Sequence, residues 1–196
     1  MAATVVIQEM NGTAPAYTER GTGAIAARYN TRDIYDPGLN YPIPIPSAGF
    51  NYSYWKSHCL DLSGTFTKIN NIKWYSAGNP AWTFGTGGEV RVGKRDSGDN
   101  GCPGGSYDQA EGTQDVTGFP IEDATNGHTY YKAQGTPTAK IGDYLSDSPL
   151  QIDTTDYTAT GKTKHCVTQV KCDTAANGAS QGEQSDIVLT LQWDEI

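Results

Sequence analysis

The chain lacks long runs of Ala, Leu, Glu and Lys, the residues that favour helices. It is rich instead in Thr, Asn, Asp and Tyr, and it contains 23 glycines and 10 prolines among 196 residues. These residue types are typical of short strands joined by turns. The composition therefore predicts an all-β protein.

Positive charge is scarce. Only 14 Lys and Arg residues stand against 22 Asp and Glu, which gives a formal net charge of −8. The basic residues are scattered, with small clusters at 94–95 and 162–164. Nucleic-acid binding needs a surplus of Lys and Arg on one face, so we expect no nucleic-acid partner.

Long hydrophobic runs are also missing. No apolar stretch approaches the roughly 18 residues of a membrane span, and residues 1–7 lack the basic flank and apolar core of a secretory signal. We therefore expect no membrane partner and synthesis in the cytoplasm.

The strongest structural pattern lies at residues 185–196. Apolar Ile187, Leu189, Leu191 and Trp193 alternate there with the residues between them, which is typical of a half-buried strand. Weaker patterns of the same kind predict strands at 4–8, 52–60, 66–75, 88–93, 128–132 and 165–172. Residues 139–145 fit either one helical turn or a strand.

About eight strands without an intervening helix predict one domain over residues 1–196. We expect an all-β, two-sheet β-sandwich of jelly-roll or immunoglobulin-like type, with long loops. Trp74 and Trp193 end alternating apolar sets and are expected on the inner faces. Residues 96–118 are almost all turn formers, which predicts a long surface loop.

Residues 29–51 form a separate Pro-rich segment, in which Pro42, Pro44 and Pro46 occupy every second position. Prolines force extended backbone without hydrogen-bond donors, so this segment cannot be a central strand. Two alternatives stay open: a strap packed on its own sheet, or an arm that lies on a neighbouring subunit. We favour the arm and take its apolar side chains as candidate assembly contacts, namely Tyr41, Ile43 and Ile45.

Four cysteines allow three disulfide pairings. Cys166 and Cys172 fall in one predicted strand, about 20 Å apart, and cannot pair with each other. Any disulfide is therefore expected to join Cys59 or Cys102 to one of these two. Disulfides would indicate an oxidising location such as a particle surface.

Metal binding is a weaker alternative. The dipeptides His58-Cys59 and His165-Cys166, together with Cys102 and Cys172, supply zinc-ligating atoms, but the close Cys spacing of structural zinc sites is missing. Residues 96–101 place oxygen ligands near a glycine turn, but without the spacing of a calcium loop. We expect no metal and no cofactor.

Catalytic patterns are equally weak. The adjacent carboxylates at 122–123 and 194–195 would point to opposite faces of a strand, and a Cys/His nucleophile pair would lack an orienting group. We expect no catalytic residues and no enzymatic activity. Four tryptophans and 12 tyrosines leave a carbohydrate-binding module as the alternative function, with Trp82, next to glycines, as the ring most open to a sugar.

The order of several segments resembles a loosely defined group of small structural proteins of tailed bacteriophages. The resemblance rests on residues 1–9, 52–56, 68–76, 85–93 and 189–196, and members of the group end in a strand similar to Leu-Thr-Phe-Gln-Tyr-Asp-Glu. It covers about half of the chain, and the cysteines and residues 96–118 lie outside the pattern.

The resemblance implies a non-enzymatic virion component that assembles on the head or tail lattice in a decoration, vertex or adaptor role. Its partners would be other copies of itself and other virion proteins, and its final location the virion. The residue patterns also fit the alternative function, a secreted carbohydrate-binding or adhesion module of β-sandwich type.

Overall fold

The computed structural model describes residues 3–13, 15–19, 28–96 and 98–196. In these ranges the chain forms strands and one-turn 3-10 helices, and it contains no α-helix. The strands are β1 (Ala3–Asn11), β2 (Ala16–Glu19), β3 (Asn51–Tyr52), β4 (Lys56–Gly64), β5 (Ile69–Ser76), β6 (Glu89–Gly93), β7 (Gly112–Thr113), β8 (Thr117–Gly118), β9 (Thr138–Lys140), β10 (Leu150–Asp153), β11 (Gly161–Lys162), β12 (Cys166–Cys172) and β13 (Leu189–Glu195). The 3-10 helices are Gly104–Ser106, Ile141–Asp143 and Ala175–Asn177. The predicted all-β class is confirmed.

The larger sheet has the strand order β2-β1-β4-β12-β6-β9, with β11 also paired to β4 and β3 to β12. Its pairs are antiparallel. Apart from the hairpin of β1 and β2, the strands adjacent in this sheet are distant in sequence: β12, for example, pairs with both β4 and β6. This sheet therefore assembles through long-range contacts.

The smaller sheet has the order β10-β5-β13, with the predicted C-terminal strand β13 at one edge. Alternation in β5 buries Ile72 and Trp74 and leaves Lys73 between them partly exposed, as its sequence predicts. Trp74 is buried, whereas Trp193 on the edge strand is only half-buried and packs against the core.

Side chains from both sheets meet in one apolar cluster, which we call the main core. Its buried members are Leu60, Leu62, Ile69, Ile72, Trp74, Val90, Val92, Ile141, Leu150, Ile152, Cys166 and Val170. Burial of this apolar surface is the principal stabilising contribution that holds the two sheets together.

A second buried cluster lies on the other face of the larger sheet. This second core consists of Tyr54, Trp55, Cys102, Ala110, Ile121, Tyr131 and Val167. Successive residues of a strand point to opposite faces, so in β12 Cys166 enters the main core and Val167 the second core. Strand β12 is therefore covered on both faces.

The segment 96–118, expected as a surface loop, contributes to this second core. Cys102 and Ala110 are buried there, and β7 and β8 form a short hairpin within the segment. The described residues of this segment otherwise form turns, bends and one 3-10 helix, and Cys102 and Ala110 cover part of one face of the larger sheet.

The predicted strand at 128–132 is wrong. This segment forms turns, in which the carbonyl of His128 accepts hydrogen bonds from the backbone N–H groups of both Tyr131 and Lys132. The ambiguity at 139–145 arises because both structures are present: β9 ends at Lys140 and a 3-10 helix begins at Ile141. The predicted strand at 52–60 is divided into β3 and β4 by residues 53–55.

Candidate functional site

The Pro-rich segment packs on its own chain. The backbone N–H of Tyr54 donates to the carbonyl of Asn30 (2.9 Å), and the amide of Asn51 donates to the carbonyl of Pro44 (2.8 Å). The side chain of Ile43 packs against the main core. These contacts correspond to the strap alternative, and residues 28–50 are called the strap below.

A buried ion pair anchors the strap to the larger sheet. Glu9 on β1 and Lys56 on β4 are each about 1% exposed, and their Oε1 and Nζ atoms lie 3.5 Å apart. Lys56 Nζ also donates to the carbonyl of Ile34 in the strap (2.7 Å), and His58 Nε2 lies 3.3 Å from Glu9 Oε2. The hydrogen bond from Lys56 therefore holds residue 34 against β4. Removal of either buried charge would leave the other uncompensated, which is strongly destabilising.

A second anchor joins the strap to residues 113–117. Arg32 donates two hydrogen bonds to Asp115, from Nε to Oδ1 (2.8 Å) and from Nη2 to Oδ2 (2.5 Å), and these bonds lower the pKa of Asp115. The guanidinium carbon of Arg32 lies 3.9 Å from the ring centroid of Tyr41. The strap is thus held by its ion pair with Asp115 and by the hydrogen bonds of its backbone.

The three candidate assembly residues are exposed to a similar degree but make different contacts. Tyr41, Ile43 and Ile45 are all partly exposed. Ile43 contributes to the main core, and the ring of Tyr41 lies under Arg32. Contacts with a neighbouring subunit stay a prediction.

The strap also carries apolar side chains that are more exposed than these three. The described part of the chain has nine large apolar side chains on its surface, and four of them lie in the strap: Ile34, Tyr35, Leu39 and Phe50. A fifth, Val116, follows Asp115, which is bound to the strap. Sequence reasoning emphasised the alternating isoleucines and missed these residues, whose exposure depends on how the strap is anchored.

The predicted disulfides are not formed: all four cysteines are buried free thiols. Cys102 lies in the second core and Cys166 in the main core, on opposite faces of the larger sheet. Cys166 on β12 lies opposite His58 on β4, so both side chains point to the same face of the sheet. The side chain of Cys59, the next residue on β4, points to the other face, away from Cys166. Burial raises the pKa of Cys59 and of Cys102 to about 12, so these thiols are protonated at neutral pH.

The histidines next to the cysteines do not converge. His58 faces Glu9, whereas His165 Nδ1 lies 3.1 Å from the carbonyl of Cys102. Among residues 3–13, 15–19, 28–96 and 98–196, no three His, Cys, Asp or Glu side chains are placed to hold a metal ion.

The polar side chains of the loop at 96–101 bind other parts of the same chain. Asn100 Oδ1 accepts a hydrogen bond from the backbone N–H of Arg95 (2.9 Å), and its Nδ2 donates to the carbonyl of Gln151 (2.8 Å). Asp99 Oδ2 lies 2.6 Å from Lys164 Nζ. Burial is the largest single influence on Asp99 and opposes its ionisation, but the hydrogen bonds from Lys164 and Thr154 together outweigh it and lower the pKa of this carboxyl.

A shallow cleft of about 210 Å³ opens beside β6 and β9, and we call it the Trp82 cleft. Its lining residues are Asn79, Pro80, Trp82, Phe84, Gly85, Gly88, Glu89, Val90 and Lys140. Trp82 is half-buried, whereas Trp55 and Trp74 are about 3% exposed. The ring that the sequence singled out therefore lines a concave surface.

None of the helices in the described ranges has the length and apolar character needed to cross a bilayer. Comparisons of the chain with protein-family models, with curated proteins and with solved structures find no match.

Proposed function

We propose that this protein is a non-enzymatic structural component of a tailed-phage particle, which assembles on the head or tail lattice through its strap. Its partners are neighbouring copies of the chain or other virion proteins. A decoration, vertex or adaptor role is compatible with this mode of assembly.

One observation carries the proposal: the concentration of exposed apolar side chains on the strap. Four of the nine in the described part of the chain lie there, and Leu39 is the most exposed of the four at 63%. Apolar surface of this kind is typical of protein–protein contacts. The strap is already ordered by its prolines, by the Arg32–Asp115 ion pair and by the hydrogen bond from Lys56, so docking it on a neighbour would cost little conformational entropy.

The proposal includes a two-sheet β-sandwich as the scaffold. It is supported by the main core, in which Trp74 of the smaller sheet and Val90 of the larger sheet belong to one apolar cluster. Sheets that share one such core typically pack face to face. The sandwich would hold the strap at a fixed position for assembly.

The direct test is a mass-spectrometric inventory of purified particles from a strain that carries this gene with its neighbouring genes. We expect the protein at a fixed copy number relative to the major head or tail protein. Absence from intact particles, with abundant free protein in the same lysate, would contradict the proposal.

Matched variants test the surface. The double variant Ile34→Asp/Leu39→Asp changes side chains that are 39% and 63% exposed, and the control Leu145→Asp/Val188→Asp changes side chains that are 39% and 64% exposed outside the strap. We expect similar melting temperatures for both. The strap variant alone should lose incorporation into particles by about tenfold or more, because its new charges would be buried without a counter-ion. Equal incorporation of both variants would exclude the strap as the contact.

A further inference from the structure

The Trp82 cleft combines aromatic rings with hydrogen-bonding groups at its rim. The ring centroids of Trp82 and Phe84 lie 5.5 Å apart, with 37° between the ring planes. Trp82 Nε1 donates to the carbonyl of Ser185 (2.9 Å), which fixes the orientation of the indole. A fixed, partly exposed indole offers apolar contact area at little cost in side-chain entropy.

The loop that carries these rings is joined to the chain beyond β12. The backbone N–H of Thr83 donates to Gln184 Oε1 (2.7 Å), and the N–H of Asp173 donates to the carbonyl of Phe84 (2.8 Å). Gly88 lies so close to Phe84 that a Cβ at this position would clash with its backbone. The cleft is therefore preformed, and a ligand would not have to order it.

The rim supplies both hydrogen-bond donors and acceptors. Glu89 Oε2 lies 3.5 Å from Lys140 Nζ, and the Lys140 side chain is 64% exposed. The amide of Asn79 adds a further donor and acceptor at the exposed end. Because the two charged groups have opposite sign, the rim favours a neutral polyhydroxyl ligand over a phosphate or another strongly charged group.

The size of the cleft limits what it can hold. A volume of about 210 Å³ is below the roughly 300–1,000 Å³ of clefts that take drug-sized ligands, so it fits a single ring. We propose that the Trp82 cleft binds one neutral hexopyranose unit of a glycan, with its C–H face on the aromatic rings and its hydroxyls on Asn79, Glu89 and Lys140. This activity is separate from the strap and goes beyond assembly.

The test is a titration of ¹⁵N-labelled protein with the methyl glycosides of glucose, galactose, mannose and N-acetylglucosamine. We expect at least one of them to shift the indole N–H resonance of Trp82 and the side-chain amide of Asn79 at millimolar concentration. Trp55 and Trp74 should not shift, since they are buried away from the cleft. No shift with any of the four, or a shift confined to another surface, would overturn the proposal.

Three variants locate the site. Asn79→Ala and Lys140→Ala remove exposed rim groups and should each weaken binding by about tenfold while the remaining resonances stay in place. Lys132→Ala, a lysine of a different cleft, is the matched control and should bind as the wild type does. Trp82→Ala should abolish binding, but the indole also packs against the main core, and its loss can prevent folding. If the Trp82 variant does not fold, the two rim variants provide the test. Unchanged affinity in both rim variants would refute the assignment.

Discussion

His128 shows how burial determines the chemistry of one side chain in this protein. It is fully buried in contact with Trp55 and Tyr131, and its Nδ1 accepts a hydrogen bond from the backbone N–H of Tyr130 (3.1 Å). Its Nε2 has no hydrogen-bond partner among the described residues. Burial lowers the pKa of His128 to about 4, so the imidazole is neutral in the folded protein above that pH.

This lowered pKa predicts a loss of stability in acid. An unfolded histidine titrates near pH 6.5, so between about pH 6.5 and pH 4 the unfolded chain binds a proton that the folded chain rejects. The free energy of unfolding should fall over this window by up to about 3 kcal/mol on account of His128.

The measurement is urea denaturation of the wild type and of His128→Asn from pH 7 to pH 4. Asparagine can keep an acceptor for the Tyr130 N–H but does not titrate. His165, whose pKa burial also lowers, titrates in both proteins, so its effect cancels in the difference. The stability advantage of the wild type should shrink as the pH falls, and a constant difference would show that His128 can be protonated in the folded state.

At the scale of the element, strand β5 carries a local irregularity at its centre. Asn71 has a φ of 54°, in the left-handed region, and the registers of both neighbouring strands shift beside it. Asparagine tolerates this conformation better than other non-glycine residues, and its amide donates to Asp194 Oδ2 on β13 (2.8 Å). The pairing of β5 with β10 and with β13 thus continues on either side of a local bulge.

The positive φ of Asn71 predicts that a glycine at this position is more stable than a valine, although valine has the higher strand propensity. Asn71→Gly should stay within about 1 kcal/mol of the wild type, because glycine adopts a positive φ without strain. Asn71→Val should lose about 1–2 kcal/mol, although valine is the better strand former. Thermal denaturation followed by circular dichroism measures both, and a valine variant more stable than the glycine variant would contradict the role of the bulge.

At the scale of the whole molecule, β12 joins the two cores into one unit. Its residues enter the main core on one face and the second core on the other. Tyr131 in the second core is fully buried, and its hydroxyl donates to the carbonyl of Asn100 (2.6 Å). Gly93 of β6 lies against this ring so closely that a Cβ there would clash with it.

Because the cores share β12, damage to the second core should destabilise the entire chain. Tyr131→Ala should lower the free energy of unfolding by about 3–5 kcal/mol, with fluorescence and circular dichroism reporting one common transition. The surface variant Leu145→Ala should change it by no more than about 0.5 kcal/mol. Two separate transitions in the Tyr131 variant would show that the segment 94–137 unfolds independently of the sheets.

Local alternation in the sequence was enough to predict β1, β5, β6, β12 and β13, the all-β class, and the buried and exposed sides of β5. Alternation is a property of neighbouring residues, so it can be read without knowing which strands pair. The short strands β2, β7, β8, β10 and β11 were missed, because two to four residues carry too little pattern. Strands β2, β10 and β11 pair with longer strands, and β7 and β8 pair with each other.

Only the tertiary structure decided which segments cover the faces of the two sheets. The same prolines allow an arm or a strap, and the choice depends on contacts of the strap with β4 and the main core. Cys166 points into the main core and Cys102 lies in the second core, on opposite faces of the larger sheet, so this predicted pairing is prevented, and the other cysteines are free as well. The sequence by itself determined which segments are strands, because that depends on local periodicity. The covering of the sheets, the separation of the cysteines and the anchoring of the strap depend on residues far apart in the chain, and only their packing fixed them.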